Sequence, residues 1–220
     1  MWPFKKKPDW KGLFDQGMTY GRSGDLDGAA ASFREATRLE PAEPYPHYEL
    51  GFTLFLRGRV REALSEFQHT EELCSGFFLV QTYIDVCARL LSGSLTPEGS
   101  VLFQKLQWLA DLGRPQGSEA RELAEALVRA CPTFPVGHYC LGIAVSEDDP
   151  ARAETALGTC LELTPDPTTA IDALFHLGVL RNKAGDRQGA RRLWQSAIDR
   201  YPRNIHTKFC EINLAATESA

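Results

Sequence analysis

The feature that most constrains the fold is an internal repeat of 34 residues. When the sequence is aligned with itself at this offset, glycine, alanine and phenylalanine recur at fixed positions. A third copy lies at an offset of 161 from the first. The matched sets are Gly17, Gly51 and Gly178; Gly24, Gly58 and Gly185; Ala29, Ala63 and Ala190; and Phe33, Phe67 and Trp194. A repeat of this length indicates stacked supersecondary units.

Each recurring position of the repeat has a role in a pair of antiparallel helices. Gly17 and its equivalents allow the second helix to approach closely, and Phe33 and its equivalents fill the space between units. Gly24 and its equivalents suit the turn between the helices, and Pro41 and Pro202 end the second helix. The pattern resembles the tetratricopeptide repeat (TPR), with its W-x2-L-G-x2-Y, A-x3-F and P positions. The resemblance implies an all-α helical solenoid.

Helical periodicity and the positions of glycine and proline predict twelve helices. We expect them near residues 10–23, 26–39, 44–57, 60–74, 77–91, 97–112, 117–131, 135–146, 150–163, 168–184, 187–200 and 205–217.

The repeat starts, at 10, 44, 101, 135 and 171, are interrupted by one step of 57 residues, which leaves room for an odd helix. The unit after this step is degenerate, with Trp108 where glycine is expected. Because an odd helix inverts the alternation of first and second helices, we expect two short arrays and a tail over 1–9. The first array, 10–91, has two repeats and a capping helix. The second, 97–217, has three repeats and a capping helix.

The TPR resemblance also implies a binding groove, lined by the first helix of each pair. The expected partner-binding residues are Phe14, Met18, Tyr45, Tyr48, Phe52, Phe55, Tyr139 and Phe175, and Gly21 falls on the same face. Four of the aromatics recur at three- or four-residue spacing in the second unit. Such a stripe indicates either a partner site or packing against helix 77–91 or the N-terminal segment.

The resemblance also indicates which type of ligand to expect. TPR domains that grip a C-terminal carboxylate use lysine, asparagine and arginine in the groove, whereas Phe14, Met18 and Phe52 stand at the corresponding places here. An apolar helix or an extended segment is therefore the expected ligand.

Charge and composition limit which partners other than proteins are expected. A net charge of −5 and a pI near 5.6 argue against a nucleic-acid-binding surface. No apolar stretch is long enough to cross a bilayer, and the N-terminus lacks the apolar core of a secretory signal, so a cytoplasmic location is expected. The N-terminal MWPFKKKP could contact an anionic membrane, form a tail, or fold back into the groove.

No catalytic or cofactor motif is found in the sequence. The five histidines form no HxxxH pair, and neither a phosphate-binding GxxxxGK[ST] loop nor a GxSxG elbow occurs. We therefore expect no enzyme activity, no cofactor and no metal. The leading hypothesis is an interaction adaptor. The alternatives are a self-assembling subunit that uses the same aromatic face, and an enzyme or its regulatory subunit.

Overall fold

The computed structural model describes residues 9–218, which form twelve α-helices and no strand. The helices are α1 (Trp10–Arg22), α2 (Leu26–Leu39), α3 (Pro44–Leu56), α4 (Val60–Leu73), α5 (Val80–Ser92), α6 (Pro97–Asp111), α7 (Ser118–Ala130), α8 (Pro135–Val145), α9 (Pro150–Glu162), α10 (Pro167–Lys183), α11 (Arg187–Arg200) and α12 (Thr207–Glu218). The all-α expectation is confirmed. Apart from Asp9, the expected tail over 1–9 and its membrane contact lie outside the described residues.

The helix starts follow from capping residues that the sequence places before them. Six helices begin after a residue whose side-chain oxygen accepts a hydrogen bond from a backbone N–H of the first turn: Asp9, Asp25, Thr96, Asp149, Asp166 and Asp186. Each such cap stabilises a helix by about 1 kcal/mol. Proline in the first turn, where no N–H is needed, marks α3, α6, α8, α9 and α10.

Two predicted helix starts are wrong, whereas every other boundary agrees within one residue. Helix α5 begins at Val80 instead of 77, because Gly76 and Phe78 adopt positive φ angles of 74° and 46°. Helix α12 begins at Thr207 instead of 205, because the side chain of Asn204 accepts a hydrogen bond from the backbone N–H of His206. Both errors come from turns that an apolar periodicity does not reveal.

The chain forms two compact units that meet at the bond between Ala88 and Arg89. In the first unit, α1 packs on α2, α2 on α3 and α3 on α4. In the second unit, each helix from α6 to α12 packs on the next one along the chain. This sequential packing is the arrangement expected of stacked helix pairs.

Within a helix pair, a glycine of the first helix faces a buried aromatic ring of the second. A Cβ atom at Gly17 would lie 2.5 Å from the Phe33 ring, and one at Gly51 would lie 3.0 Å from the Phe67 ring. A Cβ atom at Gly178 would overlap the Trp194 indole. All three rings are almost fully buried.

In the degenerate third unit, the large residue stands on the first helix and the small one on the second. Trp108 stands at the glycine position of α6, and Ala124 stands at the aromatic position of α7. Ala124 is fully buried, whereas Trp108 is 58% exposed. The third pair therefore lacks the buried glycine–aromatic contact of the pairs described above.

The glycine–aromatic contact gives a stability prediction. Gly178→Ala should lower the free energy of unfolding by about 1–3 kcal/mol, because its Cβ overpacks the Trp194 site. The control is Gly158→Ala in α9, where no atom lies within 4 Å of the added Cβ. The control should raise stability by about 0.5–1 kcal/mol through helix propensity. Urea unfolding followed by circular dichroism measures both, and equal effects of the two substitutions would contradict the prediction.

Candidate functional site

In the first unit, the first helices of the two repeats form an open apolar surface. Phe14 of α1 contacts Tyr45 of α3, with 6.3 Å between ring centroids, and rests on buried Phe33 at 5.6 Å. Tyr45 is 45% exposed, and Phe14 is half-buried. We call this surface the first-unit groove and define it by Trp10, Phe14, Met18, Tyr45, Glu49 and Phe52.

The four aromatics of α3 occupy different environments, and Tyr83 of α5 is the main reason. The Tyr83 ring is buried and stacks on Phe67 with 5.1 Å between centroids. It also contacts Phe55 at 5.5 Å and Phe52 at 5.6 Å. Phe55 is only 4% exposed, so it is a core residue, whereas Phe52 remains half-buried.

Tyr48 is enclosed by the turn that precedes α5. Its ring lies 5.7 Å from Phe77 and 5.4 Å from Phe78. Phe77 also packs edge-on against Tyr45 at 4.8 Å, and Phe78 lies 5.9 Å from that ring while remaining 49% exposed. Sequence reasoning placed Phe78 in a helix and missed its position beside the groove. The signal that could have found it is Ser75-Gly76, a turn dipeptide, directly before the two phenylalanines.

Two cavities open along the groove. The first, of about 290 Å³, lies at the start of α1 and α3 and is lined by Trp10, Lys11, Phe14, Asp15 and Tyr45. The second, of about 210 Å³, lies toward the ends of the same helices. Its walls include Met18, Gly21 and Arg22 from α1 and Glu49, Phe52 and Leu56 from α3. Predicted site residues therefore line both cavities.

Glu49 is an ionisable group in a mostly apolar cavity wall. Within residues 9–218, no side chain forms a hydrogen bond or an ion pair with its carboxylate, although Arg22 lines the same cavity. Burial raises the pKa of Glu49 from 4.5 to about 7, because the charged form loses hydration. Sequence reasoning missed this residue, although it lies on the same helix face as Tyr45 and Phe52.

The two remaining predicted site residues, Tyr139 and Phe175, belong to the second unit. Both lie beside His176, with ring centroids 6.1 Å and 5.0 Å away. Phe175 also contacts Phe209 of α12 at 6.0 Å. Burial raises the pKa of the Tyr139 hydroxyl well above its usual value. Burial likewise lowers the pKa of His176, against the opposing effect of Asp172.

Two tetratricopeptide-repeat family models match the sequence, over residues 14–73 and 172–204. These ranges contain the glycine–aromatic pairs of α1 to α4 and of α10 and α11. The chain is a tetratricopeptide-repeat protein. Its fold is the helical solenoid type of that family, and the fold makes it a protein–protein interaction scaffold.

Several solved structures are similar to this one. They include MamA (residues 41 to the end) from Desulfovibrio magneticus, at 21% identity, covering 86% of this chain and 93% of that one, with a TM-score of 0.37. YrrB, described as a TPR protein with an unusual peptide-binding site, is 16% identical, with 92% of each chain covered and a TM-score of 0.46. A thermophilic TPR protein from Thermus thermophilus is 17% identical, covering 96% of this chain and 100% of that one, with a TM-score of 0.41. No curated protein sequence matches this TPR protein.

Neither a membrane-spanning helix nor a metal-binding cluster is found in the part of this TPR protein that the structure describes. No helix within residues 9–218 combines the length and apolar character needed to cross a bilayer. Over the same range, no three His, Cys, Asp or Glu side chains are grouped so that they could hold an ion. All six cysteines are free thiols, and burial raises the pKa of Cys140 to about 12.

The half-buried carboxyl of Glu49 gives a prediction about stability and pH. Because its pKa is raised in the folded chain, the fold loses stability as the pH rises from 4.5 through 7. Glu49→Gln should therefore stabilise the protein above pH 7. The change that it causes in the free energy of unfolding should be about 1–3 kcal/mol more favourable there than near pH 4.5.

Chemical unfolding of both proteins at pH 4.5 and pH 8 tests this difference. Asp15→Asn, which alters an exposed carboxylate of the same groove, is the control. It should change the free energy of unfolding by the same amount at both pH values. An effect of Glu49→Gln that is equal at the two pH values would contradict the prediction.

Proposed function

We propose that this TPR protein is an interaction adaptor that binds an apolar helix or an extended segment of a partner in the first-unit groove. The observation that carries the proposal is the pair of open cavities between α1 and α3, lined by Phe14, Met18, Tyr45 and Phe52. Apolar surface of this kind usually marks an interaction site, and aromatic anchors contribute most of the binding energy at protein interfaces.

The size of the cavities supports a peptide ligand over a small molecule. At about 210 and 290 Å³, the cavities lie at or just below the lower end of the roughly 300–1,000 Å³ that is typical of sites for drug-sized ligands. Each cavity suits one or two side chains of a segment that lies along the groove.

The aromatic residues have different roles in this proposal. Phe14, Met18, Tyr45 and Phe52 would contact the ligand, whereas Tyr48 and Phe55 would support the floor of the groove from beneath. Tyr139 and Phe175 would contribute a second contact surface, on the second unit. The proposal also includes the two arrays, 10–91 and 97–217, a cytoplasmic location and a role without catalysis.

Self-assembly is the second candidate function, and the end of the second unit favours it. Ile205, Phe209 and Ile212 are all more than half exposed, at or near the start of α12. Exposed apolar side chains at the end of a repeat array can bury themselves against another copy. In this alternative, the aromatic face of the first unit would also contact a second chain.

The groove is tested by filling its second cavity. Gly21 lines that cavity, and no atom lies within 4 Å of a Cβ added there, so Gly21→Leu should fill the space without disturbing the helix. Gly158→Leu is the matched control, because it makes the same change at an equally open position of α9. Peptides selected from a phage-displayed random library against the wild-type protein should lose at least tenfold in affinity for Gly21→Leu and none for Gly158→Leu.

The two candidate functions give different outcomes in this test. If no selected peptide distinguishes Gly21→Leu from Gly158→Leu, the groove is not the binding site. Sedimentation velocity over a range of concentrations then tests self-assembly. In that case a dimer or larger species should form in the wild type and dissociate when Phe209 is changed to lysine.

A further inference from the structure

We propose that the second cavity of the first-unit groove selects a partner segment that places a lysine or arginine side chain against the Glu49 carboxylate. An apolar side chain of the same segment would pack on Met18 and Phe52. This inference rests on the proposed function of the groove and specifies the ligand chemistry that the groove recognises.

The position of Glu49 supports a direct contact with a ligand. It lies four residues after Tyr45 and three residues before Phe52 on α3, so the three side chains share one helix face. Glu49 also lines the second cavity together with Met18 and Phe52. A segment that fills the cavity would therefore meet the carboxylate and the apolar walls at the same time.

The missing partner of Glu49 indicates what the ligand supplies. A carboxylate that is withdrawn from water is unfavourable unless a positive charge or hydrogen-bond donors compensate it. No described side chain does so, and burial already raises the pKa of Glu49 to about 7. A lysine or arginine from a partner would form a charge-assisted hydrogen bond in a site from which the ligand excludes water.

The backbone around the cavity favours the same sign of charge. The cavity lies at the carboxyl-terminal turns of both helices, since α1 ends at Arg22 and α3 ends at Leu56. Helix carboxyl ends carry partial negative charge and favour cations within the last turn. The partial negative charges of two helix ends and the Glu49 carboxylate therefore lie around the same cavity.

The other charged groups around the cavity do not reverse this preference. Arg22 of α1 is exposed, so water and salt screen its charge, whereas Glu49 is half-buried and burial raises the pKa of its carboxyl. Helix α2 contributes only apolar walls, Leu26 and Phe33. The Tyr83 ring of α5 contacts Phe52 but is not part of the cavity lining. An acidic ligand would have to bring a second negative charge next to a poorly solvated carboxylate.

The test is selection from a phage-displayed library of random 12-residue peptides against the full chain and three variants. Wild-type protein should enrich peptides with one lysine or arginine among apolar residues. Glu49→Gln should keep the apolar preference but lose the basic one, and Glu49→Lys should enrich aspartate or glutamate. Glu162→Gln, which makes the same change at an exposed position of α9 in the second unit, is the matched control and should select the same peptides as the wild type.

Affinity measurements with one selected synthetic peptide, free of histidine and capped at both ends, provide the second readout. Replacing its basic residue with norleucine should weaken binding to the wild type about 10- to 100-fold and leave binding to Glu49→Gln nearly unchanged. Because a bound cation favours the ionised carboxyl, the wild-type affinity should rise from pH 5.5 to pH 8. The affinity of Glu49→Gln should be flat over that range.

The outcomes separate this inference from the proposed function. Apolar peptides that bind in the groove, lose affinity with Gly21→Leu and carry no basic residue would overturn the inference and leave the proposed function standing. Peptides whose binding is insensitive to Gly21→Leu would overturn both. If basic peptides bind only after Lys5, Lys6 and Lys7 are changed to glutamine, the chain's own N-terminal segment is the occupant, and the partner-segment proposal is overturned.

Discussion

The close contact between a first-helix glycine and a second-helix aromatic ring determines how three of the helix pairs pack. Phe33, Phe67 and Trp194 fill the spaces that Gly17, Gly51 and Gly178 leave open, and no side chain larger than hydrogen fits at those glycines without displacement. The contact fixes the spacing of the two helices in a pair. The first-unit groove depends on it, because the Phe33 ring that meets Gly17 also supports Phe14 and lines the second cavity.

The sequence predicts the fold well because the same physical requirement recurs at fixed spacing. Glycine, alanine and an aromatic must occupy set positions for the helices to approach, and aspartate, threonine and proline mark most helix starts. Twelve helices and nearly all of their boundaries could therefore be predicted. The exceptions are the starts of α5 and α12, where Phe78 at positive φ and the Asn204 turn override apolar periodicity. Such turns depend on packing with residues distant in sequence, which periodicity does not contain.

The candidate site could be predicted only in part, because helix face does not determine burial. The repeat placed Tyr45, Tyr48, Phe52 and Phe55 correctly on α3, but the helix that follows the second repeat decides which of them stay accessible. Tyr83 closes over Phe55 and part of Phe52, and the Phe77 turn closes over Tyr48. Packing against residues 77–91 therefore accounts for Phe55 and Tyr48, and the partner site stays a prediction for the rest of the stripe. Tyr45 and the exposed part of Phe52 face the groove, and Phe55 belongs to the core.

Glu49 shows why a search for aromatic patterns overlooks the polar part of a binding groove. A single glutamate on an amphipathic helix is expected to be a solvated surface residue, and only its neighbours in space, Met18, Phe52 and Leu56, make it poorly hydrated. Glutamine at this position would present similar volume and hydrogen-bonding capacity without the desolvated charge. The carboxylate therefore lowers stability at neutral pH, and no side chain of the described residues forms an ion pair with it. Sites that reduce the stability of a fold in this way are where binding function is expected.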